Sequence, residues 1–154
     1  MPGLKSFHMS APGTGESVEE KAREFFAADL FARDMGMELV SVSPGKASVS
    51  MKIRDSHRNS HGTVHGGALF TLADVAFALA SNSHGIDASA INANITYMTA
   101  ASEGVLTAVA EEFALNHKLA SYTVTITDDE ERKIAIFQGM VYRRTPRPES
   151  RPGS

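Results

Sequence analysis

The chain has 154 residues and a formal net charge of −3, which fits one domain and gives no electrostatic reason to expect nucleic acid or an anionic membrane as a partner. The absence of cysteine excludes disulfides, thiol nucleophiles and zinc sites built on thiolates. The longest apolar segment is interrupted by Thr71 and Asp74 and falls short of the roughly 20 residues that span a bilayer. We therefore expect a cytoplasmic protein without a membrane span.

The two ends of the chain are predicted to lie outside its folded domain. Residues 1–17 are rich in Gly, Pro and Ser, and residues 145–154 are rich in Pro and Arg. Segments of this composition have little apolar surface to bury, so we expect a disordered leader and a disordered tail. A single domain is then predicted over residues 18–144.

A helix is predicted at the start of this domain. Ser17 and Glu20 have the spacing of a capping box, in which each side chain accepts a hydrogen bond from the backbone N–H of the other residue. Five apolar residues then recur at helical spacing and form one apolar stripe: Ala22, Phe25, Phe26, Leu30 and Phe31. We expect one continuous helix that ends between Asp34 and Gly36.

The apolar residues change from a helical to a strand-like period after this helix. Residues 37–42 indicate a first strand, and Pro44-Gly45 is a turn sequence. Over residues 46–54 the apolar face consists of Ala47, Val49, Met51 and Ile53. This alternation predicts the second strand of an antiparallel hairpin with one solvated face. Residues 55–65 have no periodicity and are predicted to form a loop.

The segment from Gly66 to His84 is predicted to be a buried helix, because it is apolar on most of its circumference. Gly85 is well placed to end that helix in a left-handed conformation. Four strand patterns follow, over about residues 91–97, 105–115, 121–127 and 133–144. The last strand is apolar on both faces, so we place it in the interior of the sheet.

The order of these elements predicts an α+β fold in which one antiparallel sheet curls around the central helix. No internal repeat is present in the sequence, which favours a single unit of this kind. Such a unit leaves one flank of the helix and one edge strand uncovered. Self-association would cover both surfaces.

The start of the central helix and an acid within it are the candidate functional groups. Gly66 and Gly67 would leave unpaired N–H groups at the positive end of the helix dipole, where glycine permits close approach. These donors could form an oxyanion hole, although a tight turn packed against the sheet explains the same residues. Asp74 lies in apolar surroundings and is a candidate base or nucleophile; a carboxylate satisfied by a neighbouring donor is the alternative.

A stripe of small and polar residues runs along this helix at spacings of three and four. Its members are Gly67, Thr71, Asp74, Ala78 and Ser81. The stripe permits close approach of a second helix or of a ligand. Asp74 lies eight residues beyond Gly66, which is about 12 Å along the helix axis. If both groups act on one carbonyl, Asp74 must therefore meet the Gly66 of a second subunit.

Three histidines and one short fragment suggest other chemistry. His57, His61 and His65 are spaced by four, but the residues between them oppose a helix, and no carboxylate or cysteine completes a ligand set. We therefore predict no metal site. The fragment His65-Gly66-Gly67 is similar to the oxyanion motif of lipases, yet the chain has no G-x-S-x-G sequence and is short for an α/β-hydrolase.

The loop and the central helix together resemble a known family, the hotdog-fold acyl-CoA thioesterases. The residues that carry the resemblance are Asn59, Gly62, His65, Gly66 and Gly67, followed by Leu72, Ala73 and Asp74. The segment LADVAFALASNSHG is most similar to the phenylacetyl-CoA thioesterase branch, whose bacterial enzymes degrade aromatic acids. The resemblance covers roughly residues 20–144. It implies a hotdog fold, in which a curled antiparallel β-sheet wraps around one long central helix, with an N-terminal helix.

The resemblance implies hydrolysis of acyl-CoA thioesters, with phenylacetyl-CoA or hydroxyphenylacetyl-CoA as the expected substrate and coenzyme A as part of that substrate rather than a cofactor. Asp74 would be the general base or the nucleophile, and the Gly66 N–H would hold the thioester oxygen. Asn59 would position water or the thioester, and His65 would support the carbonyl site. The substrate-binding residues expected on the central helix are Gly67, Thr71, Ala78 and Asn82.

The resemblance also implies self-association into a dimer of hotdogs and then a tetramer, with no nucleic acid, membrane or metal as a partner. Two departures concern the substrate contacts. Val75 stands where relatives often have Thr or Ser, and the strand after the helix reads ITYMTA where relatives often have an Arg-Pro ending. The alternatives are a medium-chain acyl-CoA thioesterase and a non-catalytic acyl-CoA sensor. A hydratase is disfavoured because no suitably placed histidine follows Asp74 on its helix.

Overall fold

The computed structural model describes residues 7–9 and 15–145. The helices are α1 (Val18–Ala27), α2 (Leu30–Asp34) and α3 (Gly66–Asn82), with a short 3-10 helix at Asp55–His57. The strands are β1 (Met37–Ser43), β2 (Lys46–Lys52), β3 (Ala88–Tyr97), β4 (Val105–Leu115), β5 (Leu119–Thr127) and β6 (Lys133–Arg143). The disorder predicted for residues 1–17 and 145–154 falls mostly outside the described residues, although Met9 is described and its side chain is buried.

One sheet contains all six strands in the order β1-β2-β4-β5-β6-β3, and every neighbouring pair is antiparallel. The central helix α3 packs against this sheet and contacts every strand, most extensively β2 and β4. The predicted α+β architecture is therefore confirmed, as is the interior position of β6, which lies between β5 and β3. No helix in the described ranges is both long enough and apolar enough to span a bilayer.

The core lies between α3 and the concave face of the sheet. On β5 the inward residues Tyr122, Val124 and Ile126 are fully buried, as their alternation predicts. Phe77 of α3 packs edge-on against Tyr122, with ring centroids 5.6 Å apart. Gly139 of β6 leaves space for the Phe77 ring, because a Cβ added at Gly139 would lie 2.6 Å from that ring.

The N-terminal helix is the main correction to the prediction. The capping box is confirmed, since the Glu20 N–H donates to Ser17 Oγ at 3.1 Å and the Ser17 N–H donates to the Glu20 carboxylate at 2.8 Å. A single helix to residues 34–36 was wrong, because the chain breaks into α1 and α2 at Asp29. The Asp29 side chain accepts the Ala32 N–H at 3.0 Å and so acts as the N-cap of a new helix. Asp favours such caps because its side chain competes with backbone carbonyls for backbone N–H groups.

Strand β3 is an edge of the sheet and is paired only with β6 among the described strands. None of its ten residues is buried. Its apolar residues Ile91 and Tyr97 expose more than half of their surface, and the register with β6 shifts between Ala90 and Asn92. β1 is the other edge of the sheet, but β3 is the edge with no buried residue, and its free side leaves backbone groups open to pairing.

Candidate active site

The N-terminus of α3 presents one free backbone donor. His65 is the N-cap, and its Nδ1 accepts the Gly67 N–H at 2.8 Å. Because Nδ1 accepts this bond, the neutral imidazole carries its proton on Nε2. The N–H groups of Ala68 and Leu69 donate to the His65 carbonyl. The Gly66 N–H has no acceptor among the described residues, so it is available to a ligand at the positive end of the helix.

The loop before α3 is organised by the side chain of Asn59. Its Oδ1 accepts the backbone N–H of His61 at 2.9 Å and of Thr63 at 3.3 Å. Its Nδ2 donates to Thr63 Oγ1 at 3.1 Å. A carboxamide nitrogen carries two N–H groups, so one donor of Asn59 remains after the loop is satisfied.

His57 stabilises the same loop through hydrogen bonds to its backbone. The ring is buried, with 3% of the residue exposed, and Nδ1 accepts the Arg54 N–H at 3.1 Å. Burial lowers the pKa of His57 and the charge of Arg54 lowers it further, while a hydrogen bond with the Met35 backbone opposes both. The His57 carbonyl accepts the His65 N–H at 2.7 Å. His57 is therefore a neutral structural residue, and the three histidines form no metal-binding cluster within the described ranges.

Two cavities adjoin the N-terminus of α3. The first, which we name the Gly66 cavity, has a volume of about 430 Å³ and is lined by residues that include Asn59, Thr63, Gly66, Leu69 and Tyr97. The second, which we name the Gly67 cavity, has a volume of about 540 Å³ and is lined by residues that include Phe31, Met35, His65, Gly67 and Thr71. The structure thus places Asn59 and Gly66 in one cavity and His65 in the other.

Asp74 lies in the middle of α3 and lines neither cavity. Its side chain is half-buried, and its carboxylate has no hydrogen-bond donor among the described residues. Burial raises the pKa of Asp74 above its ordinary value, and the negative charge of Asp29 raises it further. A half-buried carboxylate with a raised pKa and no structural hydrogen bond is a candidate functional group.

The remaining residues expected to bind substrate take different positions. Thr71 lines the Gly67 cavity, and its hydroxyl donates to the Gly67 carbonyl at 2.8 Å. Asn82 is buried: its Nδ2 donates to the Ala78 carbonyl at 2.9 Å, and its Oδ1 accepts the Ala88 N–H at 2.9 Å. These bonds tie the end of α3 to the start of β3. Neither Ala78 nor Asn82 lines the two cavities.

Tyr97 is the residue that the sequence did not reveal. It is the last residue of β3 and lines the Gly66 cavity. Its hydroxyl donates a hydrogen bond to the Gly66 carbonyl at 3.1 Å. In the sequence Tyr97 is one apolar residue in an alternating strand. Its role depends on the contact between the end of β3 and the start of α3, which are 31 residues apart.

Comparison with known proteins identifies the family. The sequence profile of the thioesterase superfamily matches residues 61–135, which include α3. Acyl-coenzyme A thioesterase PaaI of Escherichia coli strain K12 is 32% identical over 125 residues, covering 80% of this chain and 89% of that protein. The chain belongs to the thioesterase superfamily. The resemblance to the hotdog-fold acyl-CoA thioesterases is thereby confirmed.

Solved structures of thioesterase-superfamily proteins share the fold. The structure of the E. coli PaaI protein from the phenylacetic acid degradation operon superposes with a TM-score of 0.78 at 31% identity, covering 82% of this chain and 96% of that one. A hypothetical thioesterase protein from Streptococcus pneumoniae TIGR4, solved with coenzyme A, gives a TM-score of 0.68 at 26% identity, and the match covers 76% of this chain and 99% of that one. The predicted hotdog fold is confirmed.

Proposed function

We propose that the chain hydrolyses acyl-CoA thioesters to a free acid and coenzyme A. The observation that carries this proposal is the pair of unused donors at the Gly66 cavity, the Gly66 N–H and the second N–H of Asn59. Two donors that line one cavity, one of them at a helix N-terminus, suit a carbonyl oxygen that gains negative charge during acyl transfer. The family assignment and the coenzyme A complex of the S. pneumoniae protein support the same substrate class.

Asp74 supplies the second part of the proposed reaction. As a general base it removes a proton from water while the water oxygen attacks the thioester carbon. The tetrahedral intermediate then expels the thiolate of coenzyme A, which takes up the proton that Asp74 removed from water. As a nucleophile, the carboxylate attacks the same carbon, releases the thiolate and forms a mixed anhydride that water cleaves. In both routes the carbonyl oxygen accepts from Gly66, and the reaction needs no metal or organic cofactor.

The proposed site spans two subunits. Asp74 lies eight residues beyond Gly66 on one helix, about 12 Å along its axis, and the structure places it outside the cavity that Gly66 lines. We therefore pair Asp74 of one subunit with the Gly66 of its partner. The exposed edge of β3 supports a dimer, since pairing of two such edges would satisfy their open backbone groups. As the family resemblance implies, such dimers would pair into tetramers.

The proposed acyl group is phenylacetyl or hydroxyphenylacetyl. The similarity to PaaI, a protein from the phenylacetic acid degradation operon, supports an aromatic acid. A medium-chain acyl group is the alternative, because the Gly66 cavity of about 430 Å³ is larger than one phenyl ring requires and includes the apolar Val64, Leu69 and Met98.

A thiol-release assay with a panel of acyl-CoAs tests the proposal. We expect the highest kcat/KM with phenylacetyl-CoA or its hydroxylated form, and a loss of at least ~100-fold in the Asp74→Asn and Asp74→Ala variants with the fold retained. Glu111→Gln is the matched control, since among the described residues this exposed carboxylate on β4 forms a salt bridge only with Lys46, at 2.9 Å. Full activity of the Asn variant would exclude the role of Asp74. Tight binding without thiol release would identify a sensor instead.

The two routes for Asp74 can be separated by a single turnover in water labelled with oxygen-18. General-base attack places the label directly in the product acid. In the nucleophilic route, water cleaves the anhydride at the aspartyl carbon, so the first product molecule carries an unlabelled oxygen from Asp74 and the label enters the protein. Mass spectrometry of the product and of the peptide that contains Asp74 distinguishes the outcomes.

A further inference from the structure

The peptide group between Gly66 and Gly67 is held at both ends by side chains. Its N–H, which belongs to Gly67, donates to His65 Nδ1 at 2.8 Å. Its carbonyl, which belongs to Gly66, accepts the Tyr97 hydroxyl at 3.1 Å. Because a peptide group is planar, these two bonds fix its orientation. The N–H of Gly66, on the preceding peptide, is left free in the Gly66 cavity.

Two adjacent glycines make this helix start intrinsically adaptable, because glycine has no Cβ to restrict its backbone. The first turn of a helix also lacks the internal hydrogen bonds that stabilise later turns. An oxyanion donor must nevertheless keep its direction through the reaction, since preorganised donors stabilise the transition state without reorganisation. Side-chain contacts must therefore supply the rigidity that Gly66 and Gly67 lack.

We propose that Tyr97 is a positioning residue that holds the peptide of Gly66 and Gly67, so that the free Gly66 N–H remains directed into the Gly66 cavity. This inference rests on the proposed function. Tyr97 acts through Gly66, and no step of the reaction is assigned to its own hydroxyl. The space around Gly66 is consistent with this role, because an added Cβ would lie 2.9 Å from the Tyr97 hydroxyl oxygen and 3.0 Å from Cζ.

The position of Tyr97 in the fold connects two parts of the molecule. It is the last residue of β3, the exposed edge strand, and it contacts the first residue of α3. Any pairing of β3 with a second copy therefore constrains a strand whose end contacts the oxyanion donor. The structure thus links the surface proposed for self-association with the orientation of Gly66.

Tyr97→Phe tests the positioning role of Tyr97, since the substitution removes one hydroxyl and keeps the ring. We expect kcat with the best acyl-CoA to fall roughly three- to tenfold, the range for one lost hydrogen bond, while KM changes less than about twofold and Tm stays within about 3 °C of the wild type. Tyr142→Phe is the matched control. Tyr142 lies on β6, is 43% exposed, and has no hydroxyl hydrogen bond to the described residues.

Hydrogen–deuterium exchange over residues 64–70 gives a readout that does not require turnover. We expect faster exchange in Tyr97→Phe than in the wild type or in Tyr142→Phe. Wild-type kcat in Tyr97→Phe, or a fall in Tm that accounts for the whole loss of activity, would overturn the positioning role. If the wild type released no coenzyme A from any substrate, the proposed function would fail. The exchange measurement alone would then test the positioning role of Tyr97, and unchanged exchange in Tyr97→Phe would overturn it.

Discussion

Replacing Gly66 with proline removes the proposed oxyanion donor with little change to the fold. Gly66 is the first residue of α3, a position where proline is favoured because its N–H would have no helical partner. Proline also requires an extended residue before it, and His65 has φ −61° and ψ 136°. The Gly66 N–H makes no hydrogen bond to the described residues. Its loss in the proline variant therefore breaks no hydrogen bond within the described part of the fold.

The expected effects on stability and on catalysis differ greatly in size. Displacing Tyr97 from the added Cβ would cost about 0.5–1.5 kcal/mol for its hydrogen bond, and restricting the unfolded chain would return about 0.4–1 kcal/mol. The net change in the free energy of unfolding is then about 1 kcal/mol or less, which corresponds to a few degrees in Tm. The loss of one oxyanion donor lowers kcat by roughly 10²–10³-fold.

The matched control is Gly66→Ala, which adds the same Cβ beside Tyr97 but keeps the N–H. We expect Gly66→Ala to lose about tenfold in kcat, comparable with the loss of the Tyr97 contact, and Gly66→Pro to lose at least a further tenfold. Thiol release gives kcat and KM, and thermal unfolding gives Tm. Equal activity of the two variants at similar Tm would refute the assignment of the Gly66 N–H as the donor.

Two further predictions concern charge and packing. Asp29→Asn keeps an N-cap for α2 and removes a negative charge that raises the pKa of Asp74, so the acid limb of the kcat/KM profile should move to lower pH; an unmoved limb would contradict this. Gly139→Ala places a Cβ 2.6 Å from the buried Phe77 ring and should cost about 1–3 kcal/mol, seen as a Tm several degrees lower. Adding Phe77→Leu should restore part of that loss, and additive losses in the double variant would show that the two residues do not compete for space.

The sheet and the central helix could be predicted because their patterns are local. Apolar and polar residues alternate over residues 46–52, and apolar residues cover most of the circumference of α3, so each element's own sequence specifies most of its buried surface. On β2 the polar Ser48 is buried as well. The break at Asp29 could not be predicted from the same pattern, because the apolar spacing continues across it to Leu30 and Phe31. Both of these side chains are more than half exposed in the structure.

The candidate site was predicted only in part, for a different reason. Asp74 and Gly66 were identified from the chemistry of one helix, and their separation on that helix follows from helical geometry alone. The positions of Tyr97 and Asn82 depend on contacts with distant segments. Tyr97 reaches Gly66 across 31 residues, and Asn82 bonds to Ala88, the first residue of β3. The strand order that produces these contacts cannot be read from periodicity.

Mixed dimers test the central claim, a site shared between Asp74 of one subunit and the Gly66 of its partner. Asp74→Ala and Gly66→Pro chains, each inactive alone, would be co-expressed with different tags and purified as heterodimers. In a shared arrangement one of the two sites receives both substitutions and the other receives none, so the heterodimer should regain about half of the wild-type kcat per dimer. If both groups act within one chain, each site carries one substitution, and thiol release by the heterodimer would remain at the level of the inactive variants.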